Sequence, residues 1–482
     1  MKTSVAQFSI DERAPIEMGV VGEPQLYAAF ETRKSESSHE LSLEKIFDAF
    51  DAAEIAYCLL RDYENPAEAV EKCEIDLLVD PHHLPALERI LDAHGFVSLP
   101  AWGHAPHSFY VGFDCRFGVW IKFDVVTELR YGKPIRAFGI NLVDACLRNR
   151  RPGDLGYRPL AESELITLFL HCLLDKAEFK EKHRKRFIAL LAQAAADQVL
   201  DQQIKAVVDE QLAPAMEWKS IASAIEQDQW QSLLSKRAAV IRKFFWRAPL
   251  KSIWRNTFAR AVRRLRPLLF AFFRRGFTVA LLAPDGAGKS TLAHSLTRDP
   301  YFRARLIYMG TNVKATGMFL PTTQWLHAKT KKYEARRAKL GLKIIKGIAF
   351  INRVIEQWYR SLAAAYHVTR GRFVVYDRYV YDSWLVSRPR SMRKRIRRWL
   401  LESACPSPDL VVLLDAPGEM LFKRKGEHSP EWLEQQRQGY LNLLPAVPNM
   451  VVVDAQQGAE EVRREVTALM WSRHSRRDAK DK

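Results

Sequence analysis

No two cysteines of this chain are spaced Cys-x-x-Cys. The six present (Cys58, Cys73, Cys115, Cys146, Cys172 and Cys405) are scattered, which suggests no zinc site or disulfide framework and fits a reducing compartment. No apolar run approaches the ~18 residues that a membrane-spanning helix needs. The opening MKTSVAQFSIDERAP has no apolar signal core, so the expected location is cytoplasmic. The widest gap concerns acids. From Gln229 to Pro284 there is none, while thirteen lysines and arginines lie between Lys236 and Arg275.

With 482 residues, 48% hydrophobic and 27% charged, the chain is globular and too long for one typical core. The net charge of +18 suits polyanionic partners, whether nucleotide phosphates, nucleic acid or an anionic membrane surface. Nucleic acid is compatible with this charge but is not the favoured partner.

Residues 1–40 are polar and irregular and read as a flexible arm. An amphipathic helix starts near Ser42, followed by strands at Ala56–Arg61 and Glu74–Val79, a helix at Leu84–His94, and strands at Ser108–Gly112 and Val119–Val126. Glu74 and Asp76 are two apart on one strand and so share a face. Asp124 lies on a later strand. Three carboxylates converging from neighbouring strands can hold divalent metal for nucleotidyl or phosphoryl transfer.

From 157 to 275 the pattern is helical. Glu162 to Phe179 reads as one helix, on which His171 and Asp175 are i,i+4 neighbours and are expected to form an exposed hydrogen-bonded pair. Within the acid-free stretch, Pro249 can open a helix. Leu250, Ile253, Trp254, Phe258, Ala261, Val262 and Leu265 form one apolar stripe, and Pro267 interrupts the pattern. Such a segment can lie in a membrane interface. The expected reading is the plainer one, that the stripe packs on a neighbouring domain while the arginines stay in water.

Next comes Phe277-Thr-Val-Ala-Leu-Leu-Ala-Pro-Asp-Gly-Ala-Gly-Lys-Ser-Thr291, an apolar strand, a glycine-rich turn and a helix start. This is the strand, loop and helix of a phosphate-binding P-loop, with Ala283 where the full pattern has glycine. Its backbone N–H groups converge on phosphate, so Asp285, Gly286, Ala287, Gly288, Lys289, Ser290 and Thr291 form the expected nucleotide site. Lys289 would reach the β- and γ-phosphates of ATP, and the Ser290 hydroxyl would ligate Mg²⁺. Five β-rich runs (Phe277–Leu282, Arg305–Met309, Arg372–Tyr376, Leu410–Leu414, Met450–Val453) alternate with helical stretches, which implies a parallel sheet with helices on both faces. Asp377, Asp415 and Asp454 follow three of the runs, at the strand ends where ligands bind in such folds.

Together, Pro284–Thr291, Asp377-Arg-Tyr379, Pro408-Asp-Leu-Val-Val-Leu-Leu-Asp415, Phe422-Lys-Arg-Lys-Gly-Glu427 and Arg437-x-x-Tyr440 resemble the thymidylate kinase family over about residues 276–470. The resemblance implies a kinase that uses ATP and Mg²⁺. Lys289 would hold the donor phosphates, Ser290 and Asp377 the metal, and Arg378 a phosphate of the acceptor. Asp285 would bind a sugar hydroxyl, and Arg424, with Lys423 and Lys425, would belong to a closing lid. Two segments depart from the family. Met309–Gly317 stands where thymidylate kinases carry Arg-Glu-Pro-Gly-Gly, and Tyr381–Arg390 replaces their Ala-Tyr-Gln-Gly stretch. The phosphoryl-transfer machinery is therefore carried over, and the dTMP specificity is not. The basic stretch Arg388–Arg398 could bind another anionic acceptor or be a solvated helix face.

The N-terminal pattern of Glu74-x-Asp76, Asp124 and Gly95-Phe96 resembles the nucleotidyltransferase superfold. Leu60-Arg61-Asp62-Tyr63 stands where that fold has a glycine turn for the triphosphate. An active copy and a merely binding copy both remain open, with Glu74, Asp76 and Asp124 as the metal candidates.

The expected plan is an arm (1–40), a nucleotidyltransferase-like α+β domain (41–150), a helical connector with a basic amphipathic segment (151–275), a P-loop kinase domain with a five-stranded parallel sheet (276–470), and a disordered charged tail (471–482). The leading function is an ATP- and Mg²⁺-dependent kinase acting on a nucleoside monophosphate or a related small acceptor such as a sugar. The alternatives are a bifunctional nucleotide-processing enzyme and a basic ATPase bound to nucleic acid or, through 249–275, to a membrane. A dimer is compatible with the sequence.

Overall fold

The computed structural model describes residues 42–60, 74–99, 107–132, 137–273, 276–310, 318, 320–335, 339–385, 391–403, 405–447 and 449–481. The expected arm (1–40) lies outside them, as do Arg61–Tyr63, residues 311–317 and Arg388–Arg390.

Ser42 caps the first helix, α1 (Leu43–Ala52), by accepting from the Lys45 N–H at 3.4 Å. Leu43, Ile46, Phe47 and Phe50 follow at helical spacing and are buried. They pack on a sheet with strand order β1-β2-β5-β4-β3, built from β1 (Tyr57–Leu59), β2 (Glu74–Val79), β3 (Val97–Ser98), β4 (His107–Asp114) and β5 (Val119–Val126). Only β2 and β5 run parallel. Their register sets Asp76 directly beside Asp124 and Glu74 beside Lys122. Helix α2 (Leu84–Ala93) and the rings of Phe47, Phe50, Tyr57, Phe96 and Phe123 fill the space beneath.

Two short hairpins follow, β6 (Arg130–Tyr131) with β7 (Phe138–Gly139) and β8 (Arg150–Pro152) with β9 (Tyr157–Pro159), enclosing α3 (Val143–Arg148). The helices are α4 (Ala161–Leu170), α5 (Glu181–Ala196), α6 (Gln198–Leu212), α7 (Trp218–Glu226), α8 (Trp230–Ser235), α9 (Arg237–Arg247) and α10 (Pro249–Phe273). Their core is continuous with Cys58, Leu78 and Val126 of the first sheet.

Three expectations change here. The helix from Glu162 ends at Leu170 and passes into a π-helical turn at His171–Lys176, so His171 and Asp175 point inward and are buried rather than exposed. Helix α10 runs through Pro267 to Phe273, because a proline's missing N–H costs one hydrogen bond without necessarily ending a helix. Most of its apolar stripe packs on no neighbour among the described residues, with Leu250 81% and Trp254 65% exposed.

The second sheet contains all five expected runs as β10 (Phe277–Leu282), β11 (Arg305–Tyr308), β12 (Phe373–Asp377), β13 (Leu410–Asp415) and β14 (Met450–Asp454). It is parallel throughout, in the order β11-β12-β10-β13-β14. Strands β10 and β13 are apolar on both faces because helices cover both sides. These helices are α11 (Lys289–Arg298), α12 (Pro321–Ala335), α13 (Lys339–Thr369), α14 (Met392–Ser403), α15 (Gly418–Lys425), α16 (Pro430–Leu441) and α17 (Ala459–Asp481). The expected disordered tail is the end of α17. His474 and Ser475 are buried there, and Arg477 pairs with Asp409.

The two sheets are joined through Trp120 of β5. Its ring meets Phe113, Tyr301, Phe302 and Trp471, and its Nε1–H donates to Asp299 Oδ2 at 2.9 Å. Trp471 in turn donates to the Gly95 carbonyl at 3.1 Å.

Candidate active site

Strand β10 delivers the chain into the loop Ala283–Gly288. Gly286 has φ +92°, and a Cβ there would stand 2.7 Å from the Leu421 carbonyl of α15. Gly288 has φ +85° and is the N-cap residue of α11, with no side chain capping the helix and no acid in its first turn. The first N–H groups of α11 therefore have no side-chain partner among the described residues, and they carry the positive end of the helix dipole. Lys289 opens that helix with only 8% of its surface exposed and donates through Nζ to the Ala283 carbonyl at 3.2 Å. Burial, with Arg378 adding to it, holds its pKa below the ordinary lysine range.

Arg378 follows β12 in the left-handed region, φ +63°, a conformation that costs energy for any residue with a Cβ. Its Nη2–H donates to Asp285 Oδ1 at 3.0 Å and its Nη1–H to Asp382 Oδ2 at 3.5 Å. Asp382 Oδ1 accepts from the Tyr440 hydroxyl at 3.0 Å. The P-loop, the end of β12, the 3₁₀ turn Val380–Trp384 and α16 thus converge in one polar chain beside Lys289. Burial alone would lower the Arg378 pKa, but Asp382 and Asp285 outweigh it and raise the value. For Asp382, burial wins over Lys289 and Arg378 and lifts the carboxyl above its usual range.

Asp377 stands beside this group, and its Oδ1 is buried with no hydrogen-bond partner among the described residues. Ser290 sits on the first turn of α11 and is exposed. Asp285 also lies close to Glu427 and His428 after α15, with one ligand atom of each within 4.8 Å of the others. Asp415 is engaged elsewhere, since Arg437 grips both its oxygens at 2.7 and 3.0 Å and also donates to Glu434 at 2.8 Å. Arg424 donates to the Ala455 carbonyl past β14 at 2.8 Å, while Lys423 and Lys425 are exposed.

Sequence reading missed Asp382, although an acid four residues after Arg378 on a helical turn was the available signal. It also missed Arg360 and Gln357 of α13. Arg360 donates to the carbonyls of Met318, Tyr308 and Gly310 at 3.0–3.2 Å, and Gln357 to that of Met309 at 3.1 Å. These bonds fix the chain leaving β11 at the sheet edge next to the loop.

A second polar group lies in the first sheet. One oxygen each of Glu74, Asp76 and Asp124 falls within 4.8 Å of the others. Glu74 accepts from Lys122 Nζ at 2.8 Å, and His107 Nδ1 lies 2.6 Å from Asp124 Oδ1. Asp76, His107, Asp124, Glu128, His171 and Asp175 border one cleft. On its far side His171 Nδ1 lies 3.2 Å from Asp175 Oδ2, and Asp175 Oδ1 accepts from the Gly132 N–H at 2.7 Å.

Residues 284–466 match the family model described as thymidylate kinase. A probable thymidylate kinase of Archaeoglobus fulgidus is 30% identical over 206 residues, covering 40% of this chain and 94% of that protein. One of Thermococcus gammatolerans is 29% identical over 213 residues, 40% of this chain and 96% of that protein. A solved thymidylate kinase structure from Candida albicans aligns at 21% identity and a TM-score of 0.28, covering 40% of this chain and 91% of that one.

Proposed function

The chain belongs to the thymidylate kinase family through its C-terminal part, and from that premise we propose that it transfers the γ-phosphoryl group of ATP to a nucleoside monophosphate or a related small acceptor. The observation that carries this reading is the convergence of Lys289, Arg378, Asp285 and Asp382 on the uncapped start of α11. Phosphoryl transfer asks for positioning and charge stabilisation more than for covalent chemistry. The N–H groups of 286–291 and Lys289 would bind the donor phosphates. Arg378, held between two carboxylates, would exchange one of them for an oxygen of the acceptor or of the transferring group. Arg424 and its neighbours on α15 would border the nucleotide. Asp377 Oδ1, without a partner among the described residues, and the Ser290 hydroxyl fit a hydrated Mg²⁺. When bound, the ion would neutralise charge on the β- and γ-phosphates.

The test is an ATP-dependent transfer screen over nucleoside monophosphates and sugars with the full chain and its Lys289→Ala variant. Acceptor-dependent ADP release that disappears in the variant is expected. Release that persists in the variant would defeat the reading.

A second reading has its own support. The grouping of Glu74, Asp76 and Asp124 beside a cleft favours a nucleotidyltransferase-like first domain with a divalent-ion site. In that case Asp76→Ala and Asp124→Ala abolish an activity that Lys289→Ala leaves intact. If neither variant alters metal binding measured by calorimetry, the grouping holds no ion.

A further inference from the structure

Helix α10 is amphipathic in the opposite sense from a helix that only packs on its own protein. Two of its described inward contacts are polar. Ser252 is buried, and Arg255 reaches Glu128 (Nη2–Oε2 3.8 Å) beside the β6–β7 hairpin. Its apolar residues face outward, with Leu250 81%, Trp254 65%, Leu265 52%, Phe258 51% and Ile253 50% exposed. At about 100° per residue these five occupy one arc of roughly 140°, with Ser252 nearly opposite. The rings of Trp254 and Phe258 stack 5.1 Å apart. Exposed Lys251 borders one edge of the arc and exposed Arg260 the other, while exposed Arg264 falls just inside the Arg260 edge.

We propose that α10 lies flat on an anionic lipid surface, with the Trp254–Phe258 face inserted among the headgroups and the flanking cations on lipid phosphates. Charge selects this occupant. No acid occurs from Gln229 to Pro284, so a second copy docking face to face would bring Lys251, Arg260 and Arg264 against like charges. A phosphate-bearing surface takes all three. Tryptophan and long cationic side chains are the types that settle at a headgroup boundary. The helix lies on the surface rather than across it, since no described helix is long and apolar enough to span a bilayer. Glu128, which Arg255 touches, also borders the N-terminal cleft. Docking through α10 therefore sets that cleft's rim about one helix diameter, roughly 10 Å, from the headgroups.

The experiment is co-sedimentation of the full chain with vesicles of phosphatidylcholine alone and of phosphatidylcholine mixed with phosphatidylglycerol. Binding is expected to the mixed vesicles, to weaken as salt rises, and to be lost in the Trp254→Glu, Phe258→Glu double variant. A Lys251→Gln, Arg260→Gln, Arg264→Gln variant should bind about a hundredfold more weakly, since each cation near an anionic surface contributes roughly fivefold in affinity. These side chains are exposed, so melting temperatures should stay unchanged. If the carboxylate pair disturbs the fold, the glutamine variant decides alone. Equal binding to neutral vesicles, or full retention by the glutamine variant, overturns the proposal. So does an absence of vesicle binding together with a dimer that Trp254→Glu dissociates, which would give the face to a second copy.

Discussion

Arg378 combines a strained backbone with two carboxylate partners, and the two properties can be separated. Arg378→Ala and Arg378→Gly both remove the carboxylate partners, but only the glycine relieves the φ of +63°, so Arg378→Gly should be more stable than Arg378→Ala by up to ~1 kcal/mol, while both lower kcat by about 10²–10³ as transition-state charge loses its donor. Denaturant titration and steady-state kinetics on the two variants check both halves, and a glycine variant less stable than the alanine one would contradict the strain. The cysteines give a pH signature. Burial pushes the Cys146 thiol up to about 12 and Cys405 up to about 11, and raises Cys58 as well. A raised folded pKa contributes stability that is complete below the ordinary thiol value of about 8.5 and is lost as pH climbs through the folded value. Stability should therefore fall from about pH 8.5 upward through about pH 12. At pH 8 iodoacetamide should modify partly exposed Cys115 before these three. At this scale the sequence was legible where backbone geometry dictates residue type, as at Gly286 and Gly288. Asp382 was only half legible, because its spacing from Arg378 shows in the sequence while its partner Tyr440 arrives from α16.

The strands of the second sheet could be read at the level of elements because parallel strands buried on both faces leave continuous apolar runs. The helices were harder, since periodicity reveals a stripe without revealing what covers it. On α10 the stripe was expected to be packed and is mostly exposed. On α13 the buried residues are Ile345, Glu356, Gln357, Arg360 and Ala364, while Ile344, Ile348, Ile351, Ile355, Trp358 and Leu362 are 47–67% exposed. Their spacing alternates four and three, the repeat of a helix–helix seam. A second copy packed along α13 is the expected cover, and light scattering on the full chain should give a dimer. Ile351→Glu with Ile355→Glu should give a monomer, and an unchanged mass would remove the seam. The end of α17 was misread from composition. Its charges hid His474, whose ring meets those of Phe277 and Phe373 edge-on. Truncation after Trp471 should cost about 2–4 kcal/mol by denaturant titration, from lost core contacts and the Arg477–Asp409 pair.

Over the whole molecule, two sheets share one packed seam at Trp120, so the first half is not an independent passenger on the second. Trp120→Ala should cost about 3–5 kcal/mol and loosen both halves together in hydrogen exchange, whereas loosening of one half alone would show that the seam carries no coupling. Composition hinted at several domains but not at this join, because a tryptophan in a strand looks the same whether it faces its own core or another's. The most direct measurement is acceptor-dependent conversion of ATP to ADP by the full chain, comparing wild type with Lys289→Ala and with Asp76→Ala. Expected is a loss of at least about a hundredfold in the Lys289 variant, with turnover kept in the Asp76 variant. Undiminished turnover without the Lys289 ammonium, or its disappearance only with Asp76, would contradict a kinase centred on the loop after β10.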